Sequence, residues 1–385
     1  MWKAVASNAL TLLIVVIFLA GGAFLWGKEQ YTGPGPLAEA ICVRVPSGAR
    51  LTSVSDDLEE QGAISSAAIL RIGADYTDRT DQLKAGSFRV PEGASMEEIV
   101  DIVTRGGANT CGTEIVYRIG VNSASVLVRE LDPAANRYVE QASFDPAADA
   151  PAPEAYTAMR AREDTIYRVV VAEGVTSWQV VDALSRVDAL TGEVAEVPAE
   201  GSLAPDSYEV QAGSDRMALI DRMQVAQEAI LSAAWQNRAD DLPYETPEEA
   251  LIMASIIEKE TGVAEERRQV ASVFVNRLNE GMRLQTDPTV IYGITNGEGV
   301  LGRGLRRSEL DAETPYNTYQ IDGLPPTPIA NPGRASIEAA VNPVETEYLF
   351  FVADGSGGHA FATTLAEHNE NVARWRQIEA ERADQ

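Results

Sequence analysis

The stretch YETPEEALIMASIIEKETG, Tyr244 to Gly262, decides how this chain is read. Thr246 precedes Pro247 and stands three residues ahead of Glu249, a capping-box start with proline at the first helical position, and Gly262 offers a stop. The spacing predicts a helix over 247–261. Leu251, Ile252, Met253, Ile256 and Ile257 cover most of its circumference, the mark of a helix buried in a domain centre. At about 100° per residue their mean direction falls within roughly 20° of Glu260, with Glu258 nearly opposite. A carboxyl group on that apolar face is disfavoured as an ion, so its pKa should rise, as a general acid near neutral pH requires. On periodicity alone, a solvated side chain near the helix end remains the other reading.

Three downstream segments carry further polar chemistry. In LQTDPTVIYG (284–293), Gln285, Thr286 and Asp287 precede Pro288, which fixes the backbone and could aim them into a cleft beside Glu260, with Tyr292 on the same segment. Asp287 is equally readable as the cap of a helix begun by Pro288. In PYNTYQIDGLPPTPIANPG (315–333), Tyr316, Asn317, Thr318 and Tyr319 combine rings that stack on a pyranose face with amides and hydroxyls that bond sugar groups. The alternative is a loop packed on the core by its tyrosines. YLFFVADGSGGHAFATT (348–364) reads as a hairpin, 348–353 and 359–364, around a Gly-rich turn. His359 and His368 are the only histidines and read as hydrogen-bonding structural residues. GSGG lacks the lysine and helix of a phosphate loop. No metal ligand set and no cofactor are expected, since two Cys and two His are widely scattered.

Together these segments closely resemble the endolytic murein transglycosylases, the MltG or YceG-like family, over about 130 residues from Leu242 onward. The resemblance implies that Glu260, the second Glu of the EKE triplet, is catalytic. It implies non-hydrolytic cleavage between N-acetylmuramic acid and N-acetylglucosamine within a glycan strand. One carboxyl group would protonate the glycosidic oxygen and then, as a carboxylate, take the proton of the muramic acid 6-hydroxyl, leaving a 1,6-anhydro end and terminating strand elongation. Peptidoglycan strands are then the substrate, and wall-synthesis enzymes such as penicillin-binding proteins the implied protein partners. Two departures stand out: Ala204 replaces an aromatic residue usual before the Pro205, Asp206 and Tyr208 segment, and an acidic Ala-Pro stretch interrupts the chain. A non-catalytic peptidoglycan-binding scaffold and a hydrolytic muramidase using Glu260 with Asp287 are the competing functions.

The rest of the chain sets the context. Its 385 residues suggest several folded units, and a net charge of −27 removes the basic face that nucleic-acid binding needs. ALTLLIVVIFLAGGAFLW (9–26) is long enough to span a bilayer, and Lys3 before it places the N-terminus in the cytoplasm and the bulk in the periplasm at the inner membrane. Gly21 to Ala23 would alternatively end a cleaved signal peptide. Cys42 and Cys111 lie beyond it; a disulfide and two separate thiols are both open. VRVPSGARLTSV from Val43, FRVPEGASMEEIV from Phe88 and YRVVVAEGVTSWQVV from Tyr167 repeat one strand-turn-helix pattern with turns at Gly48, Gly93 and Gly174. The repeat resembles LysM-type glycan-binding modules, with a purely structural role as the alternative. The expected fold is α+β: a cytoplasmic stub (1–8), a single transmembrane helix (9–27), LysM-like modules (37–131), an acidic Ala/Pro linker (132–163), a third LysM-like unit (164–211) and a mixed α/β catalytic domain with a central buried helix (212–385).

Overall fold

In the computed structural model, which describes residues 2–105, 111–162 and 164–383, the chain parts into two units. The first comprises Met1–Ile115, Leu127–Ser143 and Pro151–Ile166, the second Val116–Val126, Phe144–Ala150 and Tyr167–Gln385. Of the expected segments, Met1 of the stub, 106–110 of the first module, Glu163 of the linker and 384–385 lie outside the described residues.

The first unit begins with α1 (Trp2–Thr32). Its stretch from Leu10 has a mean hydropathy of 2.4 and is not buried in the protein, so it is long and apolar enough to cross a membrane. The helix runs beyond residue 27. Tyr31 explains why: it belongs to the unit's core, and its ring lies against Gly73, where a Cβ would collide with it.

The first two sequence repeats form a single module. β1 (Ile41–Val45) pairs antiparallel with β2 (Gly86–Val90), setting Val43 opposite Phe88. Between them come α2 (Leu51–Glu60) and α3 (Ala67–Tyr76), and after them α4 (Met96–Arg105). Leu58, Leu70, Ile99 and Val103 of these helices close over Val43, Val45 and Phe88, each worth about 1.5–3 kcal/mol as an upper limit for full burial. The three repeat glycines, Gly48, Gly93 and Gly174, all have positive φ, 75°, 65° and 79°, conformations other residues adopt only with strain. A reciprocal cap starts the second repeat's helix, where Glu98 accepts from Ser95 N–H and hydroxyl while Glu98 N–H returns a bond to Ser95. The first repeat's helix starts at Arg50 without a side-chain cap, so Thr52 does not serve as one. A disulfide joins Cys42 to Cys111 with Cα atoms 5.6 Å apart.

β3 (Thr113–Ile119), β4 (Ala124–Asp132) and β5 (Arg137–Phe144) are adjacent in that order. The stretch expected to be a linker is thus partly ordered structure, with β5 followed by α5 (Glu154–Arg160). β5 is the outermost strand and mostly exposed on both faces, so it carries no apolar period for a sequence reader to find. Tyr156 is buried, and Arg162 bonds Asp164 and Glu130, tying the segment into the first unit.

The second unit contains the third repeat and everything after it. β6 (Ile166–Val171) leads to α6 (Ser177–Ser185), whose Thr176–Gln179 capping box is fully formed. After β7 (Leu190–Thr191), β8 (Ser207–Val210) pairs antiparallel with β6, and β9 (Ser214–Asp215) pairs parallel with β7. The helical part follows as α7 (Arg216–Gln236), α8 (Pro247–Glu260), α9 (Arg267–Asn279), α10 (Asp287–Thr295), α11 (Arg307–Leu310) and α12 (Arg334–Val341). The hairpin of β10 (Phe350–Ala353) and β11 (His359–Ala362) then leads to α13 (Leu365–Ala383). Met253, Ile256 and Ile257 of α8 are fully buried among Val270 and Phe274 of α9 and Ile337 and Val341 of α12.

Candidate active site

α8 starts as its sequence dictates. Thr246 accepts from Glu249 N–H at 3.2 Å, and the Glu249 carboxylate accepts from Thr246 N–H at 3.2 Å. Its end differs from the expected glycine stop: Thr261 turns extended at φ −139°, so Glu260 is the last helical residue. That puts its carboxyl at the carbonyl-rich end of the helix dipole, where negative charge is disfavoured.

Glu260 is half-buried, and the Thr286 hydroxyl donates to its Oε1. Removal from water pushes its pKa up; the Thr286 bond opposes this, the charge of Asp287 adds to it, and His359 and Arg277 pull it back. The balance is a raised pKa. Glu258, opposite on the helix, accepts from Gly333 N–H at 3.0 Å.

Thr286 is itself fixed. It is buried, its N–H donates to Thr318 Oγ1 at 3.0 Å, and its carbonyl accepts from Thr289 at 2.8 Å. Gln285, just before it, has φ +52° and bonds the Thr318 carbonyl through its own N–H at 3.1 Å, while its side chain is exposed. A non-glycine residue there stores roughly 1–3 kcal/mol of backbone strain, held by the surrounding bonds. Asp287 opens α10 without capping it; its Oδ1 accepts the Tyr319 hydroxyl at 2.7 Å. Burial first, and then that bond, raise the Tyr319 phenol pKa.

The structure therefore gathers Glu260, Thr286, Asp287, Thr318 and Tyr319 into one cluster through two separate sets of hydrogen bonds, Glu260 to Thr286 to Thr318 and Tyr319 to Asp287. Tyr292 and Tyr316 form a second cluster, their rings 5.1 Å apart, with Tyr292 donating to Glu200 at 3.1 Å and Tyr316 bonded to Thr327 at 2.8 Å. Asn317 and Thr318 were expected from the sequence to contact sugar. Both are fully buried. The Asn317 amide donates to the carbonyls of Glu309, Leu310 and Ala312, and its oxygen accepts Tyr319 N–H, so its polar capacity is taken up in shaping the loop. Thr318 does the same for Thr286.

Sequence reading missed three contributors. Arg277, from α9, donates to the carbonyls of Leu349 and Leu284 at 2.6 Å each and lies over the Phe350 ring. A lone basic residue within the apolar run VASVFVNRL was the available signal. Glu266 binds His359 Nδ1 at 2.8 Å and its N–H at 3.0 Å, which fixes the imidazole edge-on to Phe351. Glu200 accepts from Ser177 N–H at 2.9 Å, and burial raises its pKa. His359 is hydrogen-bonded as expected, whereas His368 stacks on Phe350 with its Nδ1 buried and without a hydrogen-bond partner among the described residues.

The arrangement offers one carboxyl group with a raised pKa, positioned by a hydroxyl donor, with Tyr319 and a second, hydrogen-bonded carboxylate close by. Comparison with known proteins agrees in kind. The sequence profile of the YceG-like family matches residues 43–129 and 113–374. Proteins named endolytic murein transglycosylase from two Streptococcus pneumoniae strains are 28% identical over 86% of this chain. The chain spans 58% of the length of those relatives. One of the same name from Bacillus subtilis is 27% identical over 91% of this chain and 89% of its own length. A crystal structure of a yceG-like protein from Listeria monocytogenes is 26% identical, covering 86% of this chain and 98% of that one, with a TM-score of 0.45. With its profile running almost unbroken from Val43 to Arg374, the chain belongs to the YceG-like family.

Proposed function

We propose that this protein is an endolytic peptidoglycan lytic transglycosylase held at the inner membrane by its N-terminal helix, with Glu260 as the single catalytic acid and base. The observation that carries the reading is the state of that carboxyl: it lies at a helix C-terminus, is largely removed from water, takes one hydroxyl bond from Thr286 and has a raised pKa. Protonated, it gives its proton to the oxygen linking N-acetylmuramic acid to N-acetylglucosamine. As that bond breaks, the resulting carboxylate accepts the proton of the muramic acid 6-hydroxyl, whose oxygen bonds the anomeric carbon. Atoms balance without water, and a 1,6-anhydro end remains. Thr286 stays bonded to the carboxylate while it carries charge. Gln285, Tyr292, Tyr316 and Tyr319 are the side chains proposed to line the sugar groove, with Asn317 and Thr318 shaping it from below.

The names of the Bacillus and Streptococcus relatives support the substrate class. The disulfide supports an oxidising, periplasmic location for the bulk of the chain, and the repeated strand-turn-helix units support a LysM-like glycan-binding role. A central position for α8, buried through its middle turns, is part of the same reading.

Hydrolysis by Glu260 with Asp287 is a second reading, favoured by one observation: the charge of Asp287 acts on Glu260. Against it, the Asp287 carboxylate is engaged by Tyr319. Digestion of purified peptidoglycan followed by mass analysis separates the two, since anhydro ends are expected and reducing ends would establish hydrolysis. Glu260→Gln should abolish cutting with the fold intact. Glu258→Gln should leave most activity, because a glutamine oxygen still accepts the Gly333 N–H. Reversal of those two effects contradicts the assignment.

A further inference from the structure

The second unit contains a cavity of about 620 Å³ lined from α7, from the start of α9 and from α12, and none of the catalytic-site residues lines it. Three arginines line it: Arg267, Arg268 and Arg334. Arg267 is largely buried, pairs with the Glu173 carboxylate at 3.8 Å, and its Nε is sealed from solvent without a hydrogen-bond partner among the described residues. Among the described residues, the Arg268 side chain donates to the backbone carbonyls of Asn342 and Pro343. The side chain of Arg334 is exposed and has no hydrogen bond or ion pair among the described residues.

Charge and shape together narrow the ligand. Glu338 lines the cavity and Glu173 stands beside Arg267, so the three cations exceed the two carboxylates by one. A locally positive pocket in a chain of net charge −27 is not a consequence of composition. Five alanines also line it and add methyl-sized apolar surface. Guanidinium forks match planar carboxylates with two parallel bonds. A phosphate dianion would meet two nearby carboxylates with only one excess cation to offset them.

We propose that this cavity binds the C-terminal carboxylate of a short peptide bearing small aliphatic side chains. Arg334 and Arg268 hold the carboxylate and the alanine wall receives the methyl groups. That the peptide belongs to the wall polymer rests on the function proposed above; binding of the carboxylate does not. A peptidoglycan strand whose peptide tail is gripped here would be cut in a fixed register relative to that tail.

The test is calorimetric titration of the full chain in detergent, at low salt, with N-acetyl-alanyl-alanine, its C-terminal amide and inorganic phosphate. Saturable binding of the acid is expected, at least tenfold tighter than the amide or phosphate. Arg334→Ala should weaken it at least tenfold, and because that side chain has no partner the fold should be unaffected. Glu260→Gln should leave it unchanged. Absence of saturable acid binding, equal binding of acid and amide, preference for phosphate, or indifference to Arg334→Ala would each overturn the proposal. Acid binding that survives while the parent protein cuts no glycan would remove the proposed function and leave the cavity assignment standing.

Discussion

A carboxyl group at the carbonyl end of a helix and shielded from water ionises less readily than one in water, and Glu260 meets both conditions. Because its folded-state pKa lies above the unfolded value, the folded state holds the extra proton between the ordinary glutamate value of about 4.3 and the raised one. Stability contributed by this group is therefore lost as pH rises through that window. Glu260→Gln should melt at a higher temperature than the parent at neutral pH, with the difference vanishing below pH ~4; calorimetric scans across pH would show it, and a less stable Gln variant at neutral pH would contradict it. Activity should fall about 10²- to 10⁴-fold in the same variant. Thr286 stabilises the ionised form, so Thr286→Val should raise the Glu260 pKa and move the alkaline limb of kcat/KM to higher pH. An unmoved limb would mean that the hydroxyl does not control the proton. Glu260 could be picked out in the sequence because one helix supplied both cap and periodicity. His359 with Glu266 could not, being 93 positions apart, nor could the tie from Arg277 to Leu349 across 72; such pairs meet only once the chain folds.

Elements whose stabilising groups lie within a few residues were the readable ones. The Thr246–Glu249 box and Pro247 fix where α8 begins, and Gly357 and Gly358 sit in the turn of the β10–β11 hairpin, so both emerge near their expected limits. Thr246→Ala should cost about 1 kcal/mol by loss of that cap, and Ile256→Ala about 2–5 kcal/mol through the cavity left in the core. Denaturant unfolding of the two variants measures both, and equal costs would mean that the middle of α8 is less tightly packed than its burial indicates. The end of α8 was not readable, because Thr261 leaves the helix through an extended turn and not through the nearby glycine. β5 was missed for another reason: a strand wet on both faces is held by backbone pairing, which leaves no apolar signature.

At the scale of the molecule, repetition in sequence did not translate into repetition of modules. Two copies fold around one shared core because β1 and β2 need each other as partners, while the third belongs to the unit that carries Glu260. The Cys42–Cys111 bond closes a loop of 69 residues around that first core, a constraint worth about 4 kcal/mol on chain-entropy grounds. Replacing both cysteines by serine should lower the unfolding temperature of the first unit and leave the cutting activity of the second on soluble glycan nearly unchanged; calorimetry with a parallel digestion assay checks it, and an equal loss of activity would contradict it. α1 runs without a break from its apolar stretch into Tyr31 of the same core. The helix proposed as the anchor is therefore continuous with the folded unit that follows it.

The most direct measurement is a carbon-13 carboxyl titration of the glutamate-labelled protein, with the Glu260 signal identified by its loss in Glu260→Gln. One resonance should titrate above the ordinary glutamate value of about 4.3, and cutting activity should decline with pH along the same curve. A Glu260 signal already ionised at that pH, or activity that ignores its titration, would contradict the role assigned to this carboxyl group.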